Sequence, residues 1–301
     1  MRRIVIAMAA AIALAGCQGK PPTTPGGALG GVNGGGNGGG GGVGEVANTP
    51  PVVKAVVASD TRIEVGSPVT LTATVEDAET PVANLQFAWT LPPGSMTAAG
   101  NGSSIAWTPG AGFTTPADFT ITVTVTETYT SGGQQKQNTA SGTVPVHVNN
   151  SPKELADLSL RFLGNFADSK VSPDTCVSEF TPSCSGKKEE LTDISNNRHD
   201  FQILSSSLRH KGIDPTTSKT KATVHTDCAF TSLVITREPW SCSAKDCPYN
   251  AVQNVKGDCY TTNVYEQGRW WLCDSHFNPA PGLAPSAFER AFFGIRRPDQ
   301  P

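Results

Sequence analysis

The alternation in "FTITVTVTE", residues 119 to 127, constrains the fold of this chain more than any other feature. Phe119, Ile121, Val123 and Val125 alternate with threonines, and side chains two positions apart lie on the same face of a β-strand. Turn clusters such as PPGS and TSGG separate this run from four others that are rich in β-branched residues: VVKAVVA (52–58), VTLTATV (69–75), LQFAWTL (85–91) and GTVPVHV (142–148). Short strands at such spacing predict an antiparallel β-sandwich over residues 50–149.

The stretches "VEDAETPVANLQFAWT" and "ADFTITVTVTE" resemble the polycystic-kidney-disease-type (PKD) and related Ig-like repeats of bacterial surface proteins. In those relatives paired aspartates can bind calcium, and the matching positions here are Glu76, Asp77 and Glu79. This chain has EDAET where the relatives have an Asp-Gly pair, so it lacks the sharp turn that gathers the oxygen ligands. The three carboxylates are therefore weak calcium candidates, and solvated loop carboxylates are the alternative.

Residues 151–277 combine one helix pattern with several strand patterns. SPKE, residues 151–154, is a capping box with proline at the first helical position, and four apolar residues at helical spacing extend the helix to about Asp168: Leu155, Leu158, Phe162 and Phe166. A cysteine-bearing loop over about 176–190 comes next, and strands follow at 199–209, 221–230, 231–237, 258–267 and 268–277. A helix followed by strands predicts a disulfide-rich α+β roll whose sheet curls around the helix.

The end of this region, "YEQGRWWLCDSHF", resembles the closing hairpin of the nuclear-transport-factor-two-like superfamily, the cystatin-like α/β rolls that include polyketide cyclases and ketosteroid isomerases. The resemblance implies a cup in which relatives place catalytic Asp and His side chains. Cysteine-rich inserts at 176–184 and 242–259 depart from the ordinary pattern of that superfamily.

The Pro-rich tail, residues 278–301, contains one more helix signal. Ser286 and Glu289 form a capping box, and the short helix that follows carries Phe288, Phe292 and Phe293. These rings are expected to pack back onto the domain, and an exposed helix that awaits a partner is the alternative.

The N-terminus has the three parts of an export signal. Arg2 and Arg3 precede an apolar run that is too short to span a bilayer, and "LAGC" at 14–17 resembles the lipobox of bacterial lipoproteins. This predicts a signal peptide at 1–16 and a lipid on Cys17. Because Gln18 is not aspartate, the resemblance implies outer-membrane anchoring, facing the periplasm or the cell surface. An ordinary secretory peptide with a chance cysteine is the alternative.

A glycine-rich tether joins this anchor to the folded part. Thirteen of the nineteen residues from Gly26 to Gly44 are glycine, and such a run behaves as a flexible coil. Residues 17–49 are therefore predicted to be a lipidated tether. The mature chain would carry 21 basic and 26 acidic residues without a Lys/Arg cluster, which excludes nucleic acid as a partner.

Eight cysteines in an exported chain indicate disulfide chemistry, because the compartment beyond the inner membrane is oxidising. With Cys17 lipidated, seven remain, so one thiol is left over. The short spacings favour the pairs Cys176–Cys184 and Cys242–Cys247. A third pair is expected among three residues, with the choice left open: Cys228, Cys259 and Cys273.

Four side chains are weak candidates for a pocket. Strand periodicity places Asp274 and His276 on one face and Cys273 on the other, which rules out a Cys–His nucleophilic pair. The same periodicity puts His225 and Asp227 on one face of a neighbouring strand. If the two strands met, the four groups could converge in the cup as an acid–base or metal site.

The sequence thus predicts a multidomain cell-envelope lipoprotein with a non-enzymatic binding or assembly role. The sandwich would be a spacer and the α+β roll the binding head, with an envelope protein or glycan as partner and no cofactor. The alternative is a ligand-binding or hydrolase- or isomerase-like acid–base pocket in the roll. The chain has no Gly-x-Ser-x-Gly, His-Glu-x-x-His or Cys-x-x-Cys motif.

Overall fold

A computed structural model of the chain describes residues 48–99, 102–214, 219–279 and 286–293. The predicted signal peptide, the lipidation site Cys17 and nearly all of the tether lie outside the described residues, as does most of the tail. Within the described ranges, no helix is long and apolar enough to cross a membrane.

Two four-stranded sheets form the first part of the described chain, residues 52–149, which we call the sandwich. One sheet has the strand order β1-β3-β6-β5 and the other β2-β8-β7-β4, with antiparallel pairing except between β2 and β8. The strands are β1 (Val52–Ala58), β2 (Arg62–Glu64), β3 (Val69–Glu76), β4 (Gln86–Thr90), β5 (Met96–Ala99), β6 (Ser104–Thr108), β7 (Ala117–Ser131) and β8 (Gln134–Asn149).

The alternation that predicted β7 is the reason that the two sheets pack together. Ile121, Val123 and Val125 are fully buried, while the threonines between them are less buried. Residues of both sheets form two adjoining clusters, one that contains the fully buried Trp107 and one that contains Val123 and Val125. At the crossing of β1 and β8, Gly142 lies so close to Val53 and Val56 that a Cβ atom would meet their methyl carbons at 2.6 and 2.7 Å.

The second part, residues 150–293, is an α+β region with one antiparallel sheet in the order β12-β11-β10-β9. A 3-10 turn (Val177–Glu179) also belongs to this region, and a further one (Val82–Asn84) to the sandwich. The elements of the region are α1 (Ser151–Ala167), α2 (Pro173–Cys176), α3 (Gly186–Asp200), β9 (Phe201–Ile213), β10 (Lys221–Val234), β11 (Val252–Glu266), β12 (Arg269–Pro279) and α4 (Ala287–Phe292).

Helix α1 covers the inner face of this sheet, as its apolar periodicity predicts. Leu155, Leu158, Phe162 and Phe166 are buried in a core shared with the sheet residues Val224, Phe230 and Leu272. The cap differs from the prediction, because the N-cap residue is Asn150. The Ser151 hydroxyl instead donates to Glu64 Oε1 at 2.6 Å.

Helix α4 packs onto the same core. Ser286 and Glu289 form the predicted capping box. Phe292 is fully buried, and Phe293 stacks on Phe277 with 4.0 Å between ring centroids. The two rings are therefore packed against the α+β region, which removes the alternative of an exposed helix.

Two predictions of element bounds were wrong. The two strands predicted at 221–230 and 231–237 are one strand, β10, which ends at Val234, because no turn interrupts its alternation of buried and half-buried side chains. The segment expected to be a loop up to residue 190 contains the start of α3. This helix is polar on most of its surface, so no apolar periodicity marks it in the sequence.

Three disulfide bonds are formed: Cys184–Cys273, Cys228–Cys259 and Cys242–Cys247. The predicted Cys176–Cys184 bridge was wrong, since the fold brings Cys184 onto β12 instead. Cys176 is a buried free thiol, and its Sγ donates to the carbonyl oxygen of Asn165 at 3.3 Å. Burial raises the pKa of this thiol.

The sandwich and the α+β region meet at one end of the α+β sheet. The Arg62 guanidinium lies 3.3 Å from the ring centroid of Tyr265, and Tyr265 Oη donates to Asn149 Oδ1 at 2.8 Å. Trp270 Nε1 donates to Ser151 Oγ at 2.9 Å. The described residues form one compact unit, so a division into separate domains near residue 150 stays a prediction.

Candidate functional site

The four predicted pocket residues do not converge in the cup. Buried positions on β10 alternate with half-buried ones, and His225 and Asp227 lie on the half-buried outer face, away from α1. On β12, Asp274 and His276 are exposed. The prediction that these groups line one interior pocket was wrong.

A β-bulge explains why strand periodicity misplaced β12. Leu272 lies opposite Asn263, while Asp274 lies opposite the preceding residue Thr262, so Cys273 is the extra residue. Trp270 and Leu272 therefore face the core, and Asp274 and His276 face outward. Without the bulge, strict alternation would put all four side chains on one face.

On the outer face, Tyr260 of β11 lies between the two predicted histidines. The centroid of its ring is 4.5 Å from that of His225 and 4.8 Å from that of His276. His225 Nε2 is 2.7 Å from Asp214 Oδ1. Desolvation lowers the pKa of His276, with Asp274 opposing the shift and His225 adding to it.

The remaining candidate on this face, Asp227, belongs to a ladder of ion pairs across three strands. Arg209 contacts it from β9, and Lys211 Nζ lies 3.4 Å from Asp227 and 2.8 Å from Asp258. The hydrogen bond from Arg209 is the main cause that lowers the pKa of Asp227. Asp227 therefore stays a surface carboxylate in an ion-pair network.

A cleft between α3 and β12 contains a carboxyl group with a strongly shifted pKa. Ser275 Oγ donates to Glu190 Oε2 at 2.6 Å. Burial raises the pKa of Glu190 to about 7, against the hydrogen bond from Ser275, and the nearby charges of Asp193 and Asp274 raise it further. Glu190 can therefore exchange a proton near neutral pH.

Backbone proximity fixes α3 against β12 at this cleft. Gly186, the first residue of α3, lies so close to the strand that a Cβ atom would be 2.4 Å from the Cys273 carbonyl oxygen. The Cys184–Cys273 bridge joins the same two segments. Glu190, one turn along α3, is thereby positioned beside Ser275.

The cleft is apolar inside and narrow. Its empty space is about 420 Å³, including the part open to solvent. This space has room for little more than one water molecule. Six apolar side chains line it, including the last residue of α4 and its C-cap residue: Phe162, Leu163, Phe166, Ile194, Phe292 and Phe293.

The weak calcium candidates each have other partners. Asp77 Oδ1 accepts from the backbone N–H groups of Glu79 and Thr80 at 2.9 and 2.6 Å. Glu76 pairs with Lys54 at 2.8 Å, and Glu79 Oε2 accepts from the Thr49 hydroxyl at 2.7 Å. Among the described residues, no group of three His, Cys, Asp or Glu side chains is arranged to hold a metal ion.

A set of large exposed apolar side chains lies at the opposite end of the α+β sheet from the sandwich. We call it the distal surface, and its members are 42 to 66% exposed: Leu204, Ile235, Trp240, Tyr249 and Val252. They lie at the start of β9, the end of β10, the start of β11 and in the loop 235–251. The fourteen residues of β10 separate this surface from the sandwich by about 40 Å.

Sequence reasoning missed Glu190 and the distal surface. Glu190 lies on a helix without apolar periodicity, so nothing in the sequence marked it. A signal did exist for the distal surface, because Trp240 and Tyr249 flank the Cys242–Cys247 pair in a turn-rich segment, where aromatic residues have little core to enter.

Comparison with protein-family models and with curated proteins finds no match. Among solved structures, similarity is found to a protein described as a calcium/calmodulin dependent protein kinase II association domain, from Xanthomonas campestris. The identity is 10% over 44% of this chain and 89% of that one, with a TM-score of 0.27.

Two further structures are similar at the same level. The intermembrane space region of the chloroplast protein ARC6 is 11% identical over 42% of this chain and 97% of its own, with a TM-score of 0.28. The Mycobacterium tuberculosis protein Rv3472 is 9% identical over 46% and 82%, with a TM-score of 0.31. These values are too low to transfer a site or a function.

Proposed function

We propose that the protein is a lipid-anchored cell-envelope protein with a non-enzymatic binding or assembly role, and that the distal surface is where it binds. One observation carries this proposal: the large exposed apolar side chains described in the α+β region gather at one end of its sheet. Contiguous exposed apolar residues of this kind mark interaction sites in folded proteins.

The interior of the α+β region favours binding over catalysis. The inner face of the sheet is packed against α1 and α4, and the narrow part of the Glu190 cleft has room for little more than one water molecule. His225 and Asp227 lie on the outer face, where Asp214 and Arg209 contact them. A wider depression of about 920 Å³, open to solvent, adjoins the cleft and is lined in part by Asp274 and His276, and it belongs with the second candidate function described below.

The anchoring part of the proposal rests on the sequence alone. A signal peptide at 1–16, a lipid on Cys17 and a glycine-rich tether would hold the folded part at the outer membrane. The sandwich, an Ig- or PKD-like domain in this proposal, would be a spacer between the tether and the binding end. Cys17→Ala is expected to abolish labelling of the protein by radioactive palmitate, and labelling that persists in this variant would contradict the lipid anchor.

The binding role is tested by co-sedimentation with native envelope. The mature chain is made soluble by Cys17→Ala and mixed with envelope fragments, with and without the changes Ile235→Ser, Trp240→Ala and Val252→Ser. We expect the triple change to abolish co-sedimentation while circular dichroism shows a folded protein, because all three side chains are exposed.

A matched control uses two exposed valines of the sandwich, Val57 and Val82. The changes Val57→Ser and Val82→Ser remove exposed apolar area from the sandwich instead and are expected to leave co-sedimentation unchanged. Equal loss in both variants, or no loss in the triple variant, would contradict binding through the distal surface.

Glu190 favours a second candidate function, an acid–base enzyme. A carboxyl group with a pKa of about 7 is suited to general acid or base work at neutral pH, and its Ser275 partner is a hydroxyl within hydrogen-bond distance. A screen with p-nitrophenyl esters tests this candidate. Activity that rises through pH 7 and is lost in Glu190→Gln but kept in Glu189→Gln would support an enzyme.

A further inference from the structure

Trp240 presents an indole ring that is held in place and largely uncovered. Its ring stacks on the imidazole of His199, with 3.5 Å between centroids and 8° between planes. Even so, Trp240 is 66% exposed. With His199 against one face of the indole, the exposed area includes a broad aromatic surface.

A buried carboxylate fixes the backbone that carries this ring. Asp200 is fully buried, and its oxygens accept from the N–H groups of Trp240 at 2.9 Å and Ser241 at 2.8 Å. Burial opposes the charge, but these bonds, together with those from the Ser241 hydroxyl and His199, hold the pKa of Asp200 below its usual range. Trp240 is thus attached to the end of α3.

A second exposed ring on the same loop has a similar arrangement. The Arg237 guanidinium lies 4.7 Å from the ring centroid of Tyr249, and Tyr249 is also exposed. The Cys242–Cys247 bridge closes the loop between the two aromatic residues. A loop held in this way loses little conformational freedom when a ligand binds.

The loop that carries the two rings also carries exposed polar side chains without a net charge. The exposed charged residues of the loop are two bases and two acids: Arg237, Lys245, Glu238 and Asp246. Ser243 and Asn250 add exposed hydroxyl and amide groups. Such a surface offers hydrogen bonds to hydroxyl groups and gives no electrostatic preference for an anionic headgroup or polyanion.

We infer that the loop 235–251 is a binding site for a neutral oligosaccharide of β-linked pyranose units. The C–H bonds on the flat face of such a sugar fit the negative face of an aromatic ring, and its hydroxyls match the surrounding polar groups. This inference rests on the proposed function and names the class of ligand that the distal surface takes. A protein partner or a second copy of the chain would instead also use the aliphatic side chains Ile235 and Val252.

Calorimetric titration of the soluble mature chain (Cys17→Ala) with two probes tests the inference: tetra-N-acetylchitotetraose and cellotetraose. We expect at least one to bind, Trp240→Ala to weaken binding roughly tenfold or more, and Trp240→Phe to retain part of the affinity. Val57→Ser, a change at an exposed valine of the sandwich, is the control and is expected to bind the sugar as the unchanged protein does.

Several results would overturn the inference. They are unchanged sugar binding in Trp240→Ala, equal loss in Val57→Ser and Trp240→Ala, and no binding of either probe at about 10 mM. Co-sedimentation with envelope tests the binding surface independently of the ligand class. If neither sugar binds while the triple distal variant still loses co-sedimentation, the ligand class is wrong and the binding surface stands. If the triple variant co-sediments normally, the binding surface is wrong as well.

Discussion

Replacing Glu190 by glutamine should make the protein more stable at alkaline pH. The folded protein holds the pKa of this carboxyl near 7, and its usual value is 4.5. Between these two pH values the folded state binds more protons than the unfolded state. The free energy of unfolding therefore falls as the pH rises from 4.5 to 7, and this loss is complete above pH 7.

The size of the effect follows from the shift in pKa. A difference of about 2.5 units corresponds to roughly 3 kcal/mol, since each unit is worth about 1.4 kcal/mol. Glutamine keeps the shape of the protonated acid and cannot ionise. At pH 8 the free energy of unfolding of the variant should exceed that of the unchanged protein by up to about 3 kcal/mol, or roughly 6 to 12 °C in Tm for a chain of this size. Near pH 4 the two proteins should have equal free energies of unfolding.

Thermal and urea unfolding at pH 4, 6 and 8 measure this difference. Glu189→Gln is the matched control, because Glu189 is an exposed neighbour on the same helix, and it should follow the unchanged protein at every pH. A constant difference between Glu190→Gln and the unchanged protein from pH 4 to 8 would refute the assignment of a neutral-pH acid to this cleft.

Three further predictions concern the elements that hold the candidate sites. Changing Cys184 and Cys273 to serine together should cost about 2 to 5 kcal/mol in urea unfolding, because the bridge closes a long loop; a loss below about 0.5 kcal/mol would contradict this. Gly142→Ala should destabilise the sandwich by about 1 to 3 kcal/mol, since the added methyl overlaps Val53; unchanged Tm would contradict the close crossing of β1 and β8. Asp200→Asn should cost about 1 to 3 kcal/mol by weakening the bonds to the Trp240 loop, and faster hydrogen exchange confined to residues 235–251 would identify that cause.

The sequence predicted elements wherever periodicity was regular. Alternation located β7, and the apolar spacing of α1 gave its bounds to within a residue at each end. Both signals arise because one face of the element is buried. Capping residues also predicted α4, since Ser286 and Glu289 satisfy backbone groups locally.

Other features depend on tertiary contacts that no short pattern records. The bulge at Cys273 reverses the faces of Asp274 and His276, and it is set by pairing with β11. The partner of Cys184 is 89 positions away, so spacing favoured a nearer cysteine. Glu190 has an unusual pKa only because α3 packs against β12, and a polar helix does not indicate where it packs.

We propose that the protein binds through the distal surface, at the end of the α+β region far from the sandwich. Hydrogen–deuterium exchange of the soluble mature chain, with and without native envelope fragments, measures directly which residues become protected. We expect slower exchange in residues 235–252 when envelope is present, with no change around Glu190 and Ser275. Protection of the cleft or of the sandwich, with residues 235–252 unchanged, would contradict it.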